Sequence, residues 1–257
     1  MSGTPSGGSG ARGAGSGDGP ASPPATRRRR TGQGRPAAAD PAELAETLAE
    51  GARRLGIDLG EEVLAGLLAH LDELGRWAPR LNLVSAQDLA DPRALVERHV
   101  LDSLAAVPLV APLGPEPAIL DIGSGAGFPG IPVALAAGTS RALLVEPRLR
   151  RASFLRAVAR RLPGCPLEVA SRRFEDLDET DVGPGFDAIL SRAALPLSDL
   201  LACARRWLRP RGRLVAFRGP GQTESSSVEG LRRLPDRPYQ VAPGTPTMRL
   251  AAWEKVA

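Results

Sequence analysis

Three glycines at alternate positions, Gly123, Gly125 and Gly127, follow the apolar run Ile119-Leu120-Asp121-Ile122 and precede Phe128-Pro129-Gly130. The order reads as a buried strand, a tight turn and a helix. Gly123 and Gly125 let the backbone turn sharply and approach a ligand with no Cβ in the way. Gly127 is expected to let the following helix sit close to the strand. The next apolar run, Ala142 to Val145, ends at Glu146. A carboxylate at that strand tip can accept both ribose hydroxyls of an adenosine. Glycines in this spacing have many chance matches and can serve packing alone. Strand, turn, helix, strand and acid in sequence point instead to an adenosine-type cofactor. Asp121 bears on the choice between NAD and S-adenosylmethionine: it could face a positively charged amino or sulfonium group, where a dinucleotide would instead need room for its pyrophosphate.

The surrounding elements are those that could hold such a turn. From residue 117, apolar runs at 118–122, 142–146, 167–170, 186–191 and 212–217 alternate with helical stretches near 129–137, 149–162 and 197–208. This alternation predicts a mainly parallel sheet covered by helices, with right-handed crossovers. A weak helix is expected near 226–234. A last apolar pair, 239–242 and 247–256, is expected to add antiparallel edge strands. Upstream, Leu64, Leu67, Leu68, Leu71, Leu74 and Ala78 recur at helical spacing, and Pro79 helps to end that helix. Another helix should begin after Asp91, with Pro92 at its first position and Leu95, Val96, Val100 and Leu104 on its apolar face. The expected organisation is a tail over 1–40, a helical subdomain over 41–110 and a Rossmann-like domain over 111–257.

Residues 1–40 carry six arginines against Asp18 and Asp40, a net charge of +4 that equals the net charge of all 257 residues. The remainder is close to neutral, so the basic balance belongs to the tail and says little about the folded part. The tail is half Gly, Pro and Ser and is expected to be disordered, with Arg27 to Arg30 either solvated or touching phosphates nonspecifically. No apolar stretch reaches the ~18–20 residues of a membrane span, and the N-terminus has no apolar core of the secretory kind. Cys165 and Cys203 are far apart and lack metal-ligand neighbours. They are expected to pack as small apolar residues, with neither disulfide nor metal, in a reducing cytoplasm.

Four segments occur in order: Asn82-Leu83-Val84-Ser85, His99-Val100-Leu101-Asp102-Ser103, Asp121 through Pro132, and Ser191-Arg192-Ala193. Over roughly residues 60–257 the chain resembles the bacterial 16S rRNA guanine-N7 methyltransferases, the small-subunit rRNA methyltransferase G or glucose-inhibited division protein B family. The Gly-Phe-Pro-Gly-Ile-Pro extension and the His-x-x-Asp-Ser pair carry it more specifically than the glycines. The resemblance implies a class I S-adenosylmethionine-dependent fold, Rossmann-like with a mainly parallel seven-stranded sheet and a small N-terminal helical subdomain. It implies cofactor contacts at Gly123 and Phe128, at Phe174 and Glu175 within Arg173-Phe174-Glu175, and at Arg192. Glu146 stands where the family has Asp or Glu. The family's lysine before the glycine that closes the fifth strand is Arg218 here, and its lysine before Arg151 is Arg150. The chain has one lysine, Lys255. Arginine keeps the charge but does not readily act as a neutral amine.

The implied reaction is methylation of N7 of a guanine in 16S rRNA, on free rRNA or on the small ribosomal subunit, by a cytoplasmic monomer without a metal. Guanine N7 carries a lone pair at neutral pH, so alignment suffices and no general base is required. His99 and Asp102, at i, i+3, could pair on one helix face. They either join the helices to the cofactor domain and shape the pocket floor, or touch substrate or the methionine end, or form a hydrolase-like relay. Arg192, at a strand end, is a candidate for phosphate, base or cofactor contact, against a plain salt bridge to a nearby carboxylate; Arg218 is a further substrate-positioning candidate. His70 is read as a surface or packing residue, and Asn82 as a turn-former or a polar pocket residue. The arginines at 148, 150, 151, 156, 160 and 161 are solvated or RNA-facing. The competing classes are an rRNA-binding protein that holds the cofactor without turnover, a methyltransferase of small molecules or proteins, and, last, a dehydrogenase.

Overall fold

The computed structural model describes residues 40–192, 195–219 and 228–256. The expectation for the tail therefore falls outside the described residues except at Asp40. Asp40 caps the first helix, α1 (Pro41–Arg54), by accepting from the Ala42 N–H. After α2 (Glu61–Trp77), the short helix α3 (Ala86–Ala90) is capped by Ser85, whose Oγ accepts from the Asp88 N–H. Asp91 caps α4 (Pro92–Leu95), with proline at the position where its missing N–H does no harm. The helix then widens into a π-helical turn, Val96–Leu101, before α5 (Asp102–Leu104) and α6 (Val107–Val110). Nothing in the apolar spacing announces that widening; Val96, Val100 and Leu104 are buried as expected.

The sheet takes its strands in the order β3-β2-β1-β4-β5-β8-β6, with β7 paired to β8. β1 (Ala118–Ile122), β2 (Arg141–Val145), β3 (Leu167–Ala170), β4 (Phe186–Arg192) and β5 (Leu208–Arg218) are parallel. β6 (Leu231–Arg233), β7 (Arg237–Tyr239) and β8 (Met248–Lys255) are antiparallel additions. The crossover helices α7 (Gly130–Ala137), α8 (Leu149–Arg161) and α10 (Leu197–Trp207) lie close to the expected stretches, with α9 (Glu179–Val182) a single turn. Registers Ile122↔Val145, Ile122↔Ser191 and Arg192↔Phe217 bring the glycine turn, Glu146, Arg192 and Arg218 to one end of the sheet.

Three expectations are corrected. Among the described residues the sheet has eight strands where seven were expected, because short β7 joins it. In the region read as a weak helix, residues 228–233 form a bridge and strand β6: Val228 pairs with Leu231 around Gly230, and Leu231 to Arg233 pair with β8. Leu231 and Leu234 share a helix-like spacing, but pairing with a formed strand overrides it. β8 is no edge strand, since it lies between β5 and β6.

Alternation along the strands divides the interior. Ile119, Leu144, Leu190 and Val215 face α7, α8 and the helices preceding β1, which share that core instead of building their own. Leu120, Ile122, Leu143, Val145, Ile189 and Leu214 belong to the other half of the core, together with Leu200, Leu201, Ala204 and Trp207 of α10. Cys165 and Cys203 are free and buried, one in each half of the core. Burial pushes their thiols up, to about 11 and about 12, so both behave as small apolar groups.

Candidate cofactor site

At the end of β1 the chain leaves the sheet while still bonded to it. The Gly123 and Ser124 N–H groups both donate to the Val145 carbonyl. Gly123, Gly125 and Gly127 all have positive φ, at 76°, 53° and 85°. Side-chain-bearing residues rarely adopt such angles. A Cβ on Gly127 would lie 2.4 Å from Ile131 Cδ1 and 3.0 Å from His70 Nε2. Gly127 thus permits close approach to α7 and α2, where the sequence suggested approach to the strand. A Cβ on Gly130 would meet Asp121 and Leu144 at 2.6–2.7 Å, so Gly130 is the residue that seats α7 against β1 and β2.

Asp121 lies beneath this turn and is fully buried. Its Oδ2 accepts from the Gly130 N–H at 3.2 Å, and its Oδ1 has no partner. Burial pushes its carboxyl up to about 6, against the lowering effect of the nearby Ser124 hydroxyl (which itself donates to the Asp121 backbone carbonyl), of the Gly130 N–H and of Arg192. Glu146 is 4% exposed, and its two oxygens accept from the N–H groups of Gly125 (3.1 Å) and Arg148 (2.8 Å). The carboxylate expected to face a ribose therefore also braces the glycine turn, with further lone pairs still available. Next to it, a cavity of about 480 Å³ is lined by Ile122, Gly123, Val145, Arg148, Phe174 and Glu175, among others. A larger cavity of about 850 Å³, bordered by Gly66, Leu135, Thr139 and Cys165, touches neither the loop glycines nor these carboxylates.

Phe128 is buried at the centre of a cluster. Its ring centroid lies 4.8 Å from that of His70 and 5.3 Å from that of His99, and the Arg192 guanidinium sits 5.5 Å from it. His70 proves to be a packing residue with a polar task. Its Nε2–H donates to the Ala126 carbonyl at 2.8 Å, tying α2 to the glycine turn, and burial lowers its pKa to about 4.

His99 and Asp102 do not pair with each other. A facing i, i+3 pair assumes a regular helix, and these residues straddle the end of the π-helical turn. Instead they share Arg192: Nη1 donates to Asp102 at 2.9 Å, and Nη2 lies 3.3 Å from His99 Nδ1. The plain salt bridge weighed for Arg192 is thus present. The other nitrogen of His99 lies 3.1 Å from Asp88, which also accepts from Ser85 and Arg98. Burial lowers the His99 pKa, with Arg192 adding to that effect and the bond to Asp88 opposing it. Burial would raise the Asp88 carboxyl, but its three hydrogen bonds hold it below the ordinary range. Tyr239 donates to Asp102, and burial followed by that carboxylate pushes its phenol upward.

Sequence reasoning missed Asp88 and Tyr239. The pattern Ser85-x-x-Asp88 at a helix start was a local signal for the first, and Tyr239 is the only tyrosine of the chain. Asn82 is exposed, and its carbonyl accepts from Arg151, so it is a loop residue and no part of a buried pocket. Among the arginines of α8, Arg156 bonds Ser171, and Arg161 pairs with Asp72 and Glu73. Arg218 ends β5 opposite Arg249 of β8. No group of three or more potential metal ligands occurs among the described residues. No described helix is long and apolar enough to cross a membrane.

The sheet order and the glycine turn define a class I methyltransferase-type fold. The solved structure of yhhF from Escherichia coli, named as a methyltransferase, shares it with a TM-score of 0.50 at 13% identity, over 61% of this chain and 86% of that one. Residues 64–232 match the family described as rRNA small subunit methyltransferase G. The protein of that name from Syntrophotalea carbinolica is 37% identical over 66% of this chain and 76% of its own length. Its counterpart from Myxococcus xanthus is 33% identical over 72% and 83%. The chain belongs to the rRNA small subunit methyltransferase G family.

Proposed function

We propose that this chain transfers a methyl group from S-adenosylmethionine to N7 of a guanine in 16S rRNA. The observation that carries the cofactor assignment is Asp121: a fully buried carboxyl with one unpartnered oxygen, beneath a turn of three positive-φ glycines. Such an oxygen is costly unless a cationic group meets it. Gly123, Gly125, Gly127 and Phe128 would hold the methionine side, and Phe174 and Glu175 the adenine side of the 480 Å³ cavity. Glu146 would accept from the ribose with its remaining lone pairs. The bound cofactor supplies an already activated methyl on a sulfonium.

The residues then align the acceptor. No base is needed at guanine N7, so the two histidines are free for other tasks. His99 Nδ1 is already engaged by Arg192, and His70 lies buried under the turn. Arg192, Asp102 and His99 would position the guanine or the methionine end, with Arg218 near the same sheet end. Arg148 and Arg150 flank Leu149, which is 71% exposed beside the cavity, a surface suited to phosphates and a base. We read the partner as 16S rRNA or the small ribosomal subunit, and the protein as a cytoplasmic monomer.

The test is methyl transfer from labelled S-adenosylmethionine to free rRNA and to small subunits lacking the modification, with cleavage at 7-methylguanosine locating the product. One labelled guanine is expected. Cofactor binding with no label on either RNA substrate would overturn the reading.

A further inference from the structure

We propose that Asp88 is a positioning residue: it fixes His99 in one tautomer, and the lone pair so freed holds the Arg192 guanidinium in place over Phe128. The inference rests on the reading above, in which Arg192 serves the cofactor or the guanine.

The argument follows from who can donate. Arginine has five N–H donors and no acceptor. The approach of Arg192 Nη2 to His99 Nδ1 at 3.3 Å is attractive only when Nδ1 carries a lone pair. The proton of a neutral imidazole then sits on Nε2, which lies 3.1 Å from Asp88 Oδ2 and donates to it. A protonated His99, or the other tautomer, would set an N–H against the guanidinium. Asp88 can do this because it is itself held. It is 8% exposed and accepts from Ser85 Oγ at 2.8 Å and from Arg98 Nη1 at 2.8 Å, on a helix turn whose cap is Ser85. The groups facing His99 are Asp88 from α3, Arg192 from β4 and Asp102 from α5, with Phe128 on its ring.

Arg192 needs this second anchor. Asp102 and the Arg98 carbonyl both take Nη1, at 2.9 and 3.4 Å, which leaves the planar group free to pivot about that nitrogen. His99 on Nη2 makes a two-point attachment and removes the pivot. Asp88 touches neither Arg192 nor the cavity; it acts only through the imidazole.

The chain contains two histidines, so a nitrogen-15 imidazole spectrum holds two rings, and His70 is the internal standard. In the wild-type chain His99 should be neutral with its proton on Nε2. Asp88→Asn keeps an acceptor and should preserve that spectrum and transfer within about threefold. Asp88→Ala should lose the fixed tautomer while His70 stays put. It should also slow single-turnover transfer about 10- to 100-fold, the scale of a group misplaced by about 1 Å. Three results would overturn the proposal: a wild-type His99 with its proton on Nδ1, an Asp88→Ala chain with His99 still locked, or full transfer in that variant once the lock is lost. The spectrum needs no RNA. A wild-type chain that binds cofactor but labels no rRNA would therefore sink the reaction and leave the Asp88–His99 lock to be judged by its own signals.

Discussion

Replacing Asp121 by Asn should make the free protein more stable at neutral pH and spoil its cofactor site. The carboxyl is fully buried and its pKa is raised from 3.8 to about 6. The sign follows from linkage. Between these values the folded state holds a proton that the unfolded state has released, so stability falls as pH rises from about 4 through about 6 and levels off above. At about 1.4 kcal/mol per unit of pH, the loss at pH 8 is about 3 kcal/mol. Asn keeps the acceptor for the Gly130 N–H and cannot ionise. Its amide would stand where Oδ1 has no partner, at a cost of about 1 kcal/mol. The expected net gain at pH 8 is about 2 kcal/mol, a rise in Tm of about 4–8 °C for a domain of this size. At pH 4 only the unpaired amide remains, and the variant should be less stable than wild type by about 1 kcal/mol. Adding S-adenosylmethionine should reverse the ranking. A ligand at 100 times its Kd stabilises the wild-type chain by about 2.7 kcal/mol, and the variant should gain little. Wild-type affinity should also increase as pH rises through about 6, where the carboxylate forms. Thermal unfolding at pH 4 and pH 8, with and without cofactor, reads all of this. A variant less stable than wild type by the same amount at both pH values would refute the argument.

Gly127→Ala should lower Tm by about 6–12 °C, from about 3 kcal/mol of strain at φ 85° and overlap with Ile131. Adding Ile131→Val, which removes the colliding Cδ1, should recover part of it, and no recovery would assign the whole loss to the backbone angle. Tyr239 is the only tyrosine, so its ionisation can be followed at 295 nm without interference. The native protein's phenol should titrate above its ordinary range, and ordinary titration near pH 10 would contradict the Asp102 hydrogen bond. Tyr239→Phe should cost about 1.5–3 kcal/mol, the range for a hydrogen bond to a charged group, measured by urea unfolding.

The fold was legible where its signals are local. β1 to β4 are short apolar runs bounded by breakers, and the glycine turn, its Asp121 and the acid at 146 lie within 26 residues. The site was legible only in part, because its polar contacts join distant positions. Asp102 meets Arg192 across 90 residues and Tyr239 across 137, and neither pairing leaves a trace in spacing. His99 pointed to the wrong carboxylate because a regular helix was assumed through Val96–Leu101. The strand β6 was hidden for the opposite reason: Leu231 and Leu234 mimic a helix face, and only a finished β8 reveals their pairing.

The unfavourable features of the chain gather around the proposed cofactor site. Positive φ at three glycines and a buried carboxyl with an open oxygen lie at the carboxyl end of β1 and the turn that follows. A π-helical turn places His99 on the Phe128 that follows that turn. Each costs stability that an apolar, regular alternative would spare. A fold selected for stability alone would place a neutral residue at 121. The neighbouring contacts show that the cost is localised and not general looseness, since Glu146, His70 and Gly130 each hydrogen-bond the turn or Asp121 and hold it fixed. A rigid frame around one unsatisfied acid is what a cationic ligand requires, because the desolvation of the carboxylate is then met at folding and not at binding. The same logic applies to Arg192. Its charge is met by Asp102 and its orientation by His99, so under the proposed function fixing the guanidinium would cost little further entropy when a substrate arrives. Asp88 lies one step further out and completes the frame without touching the cavity.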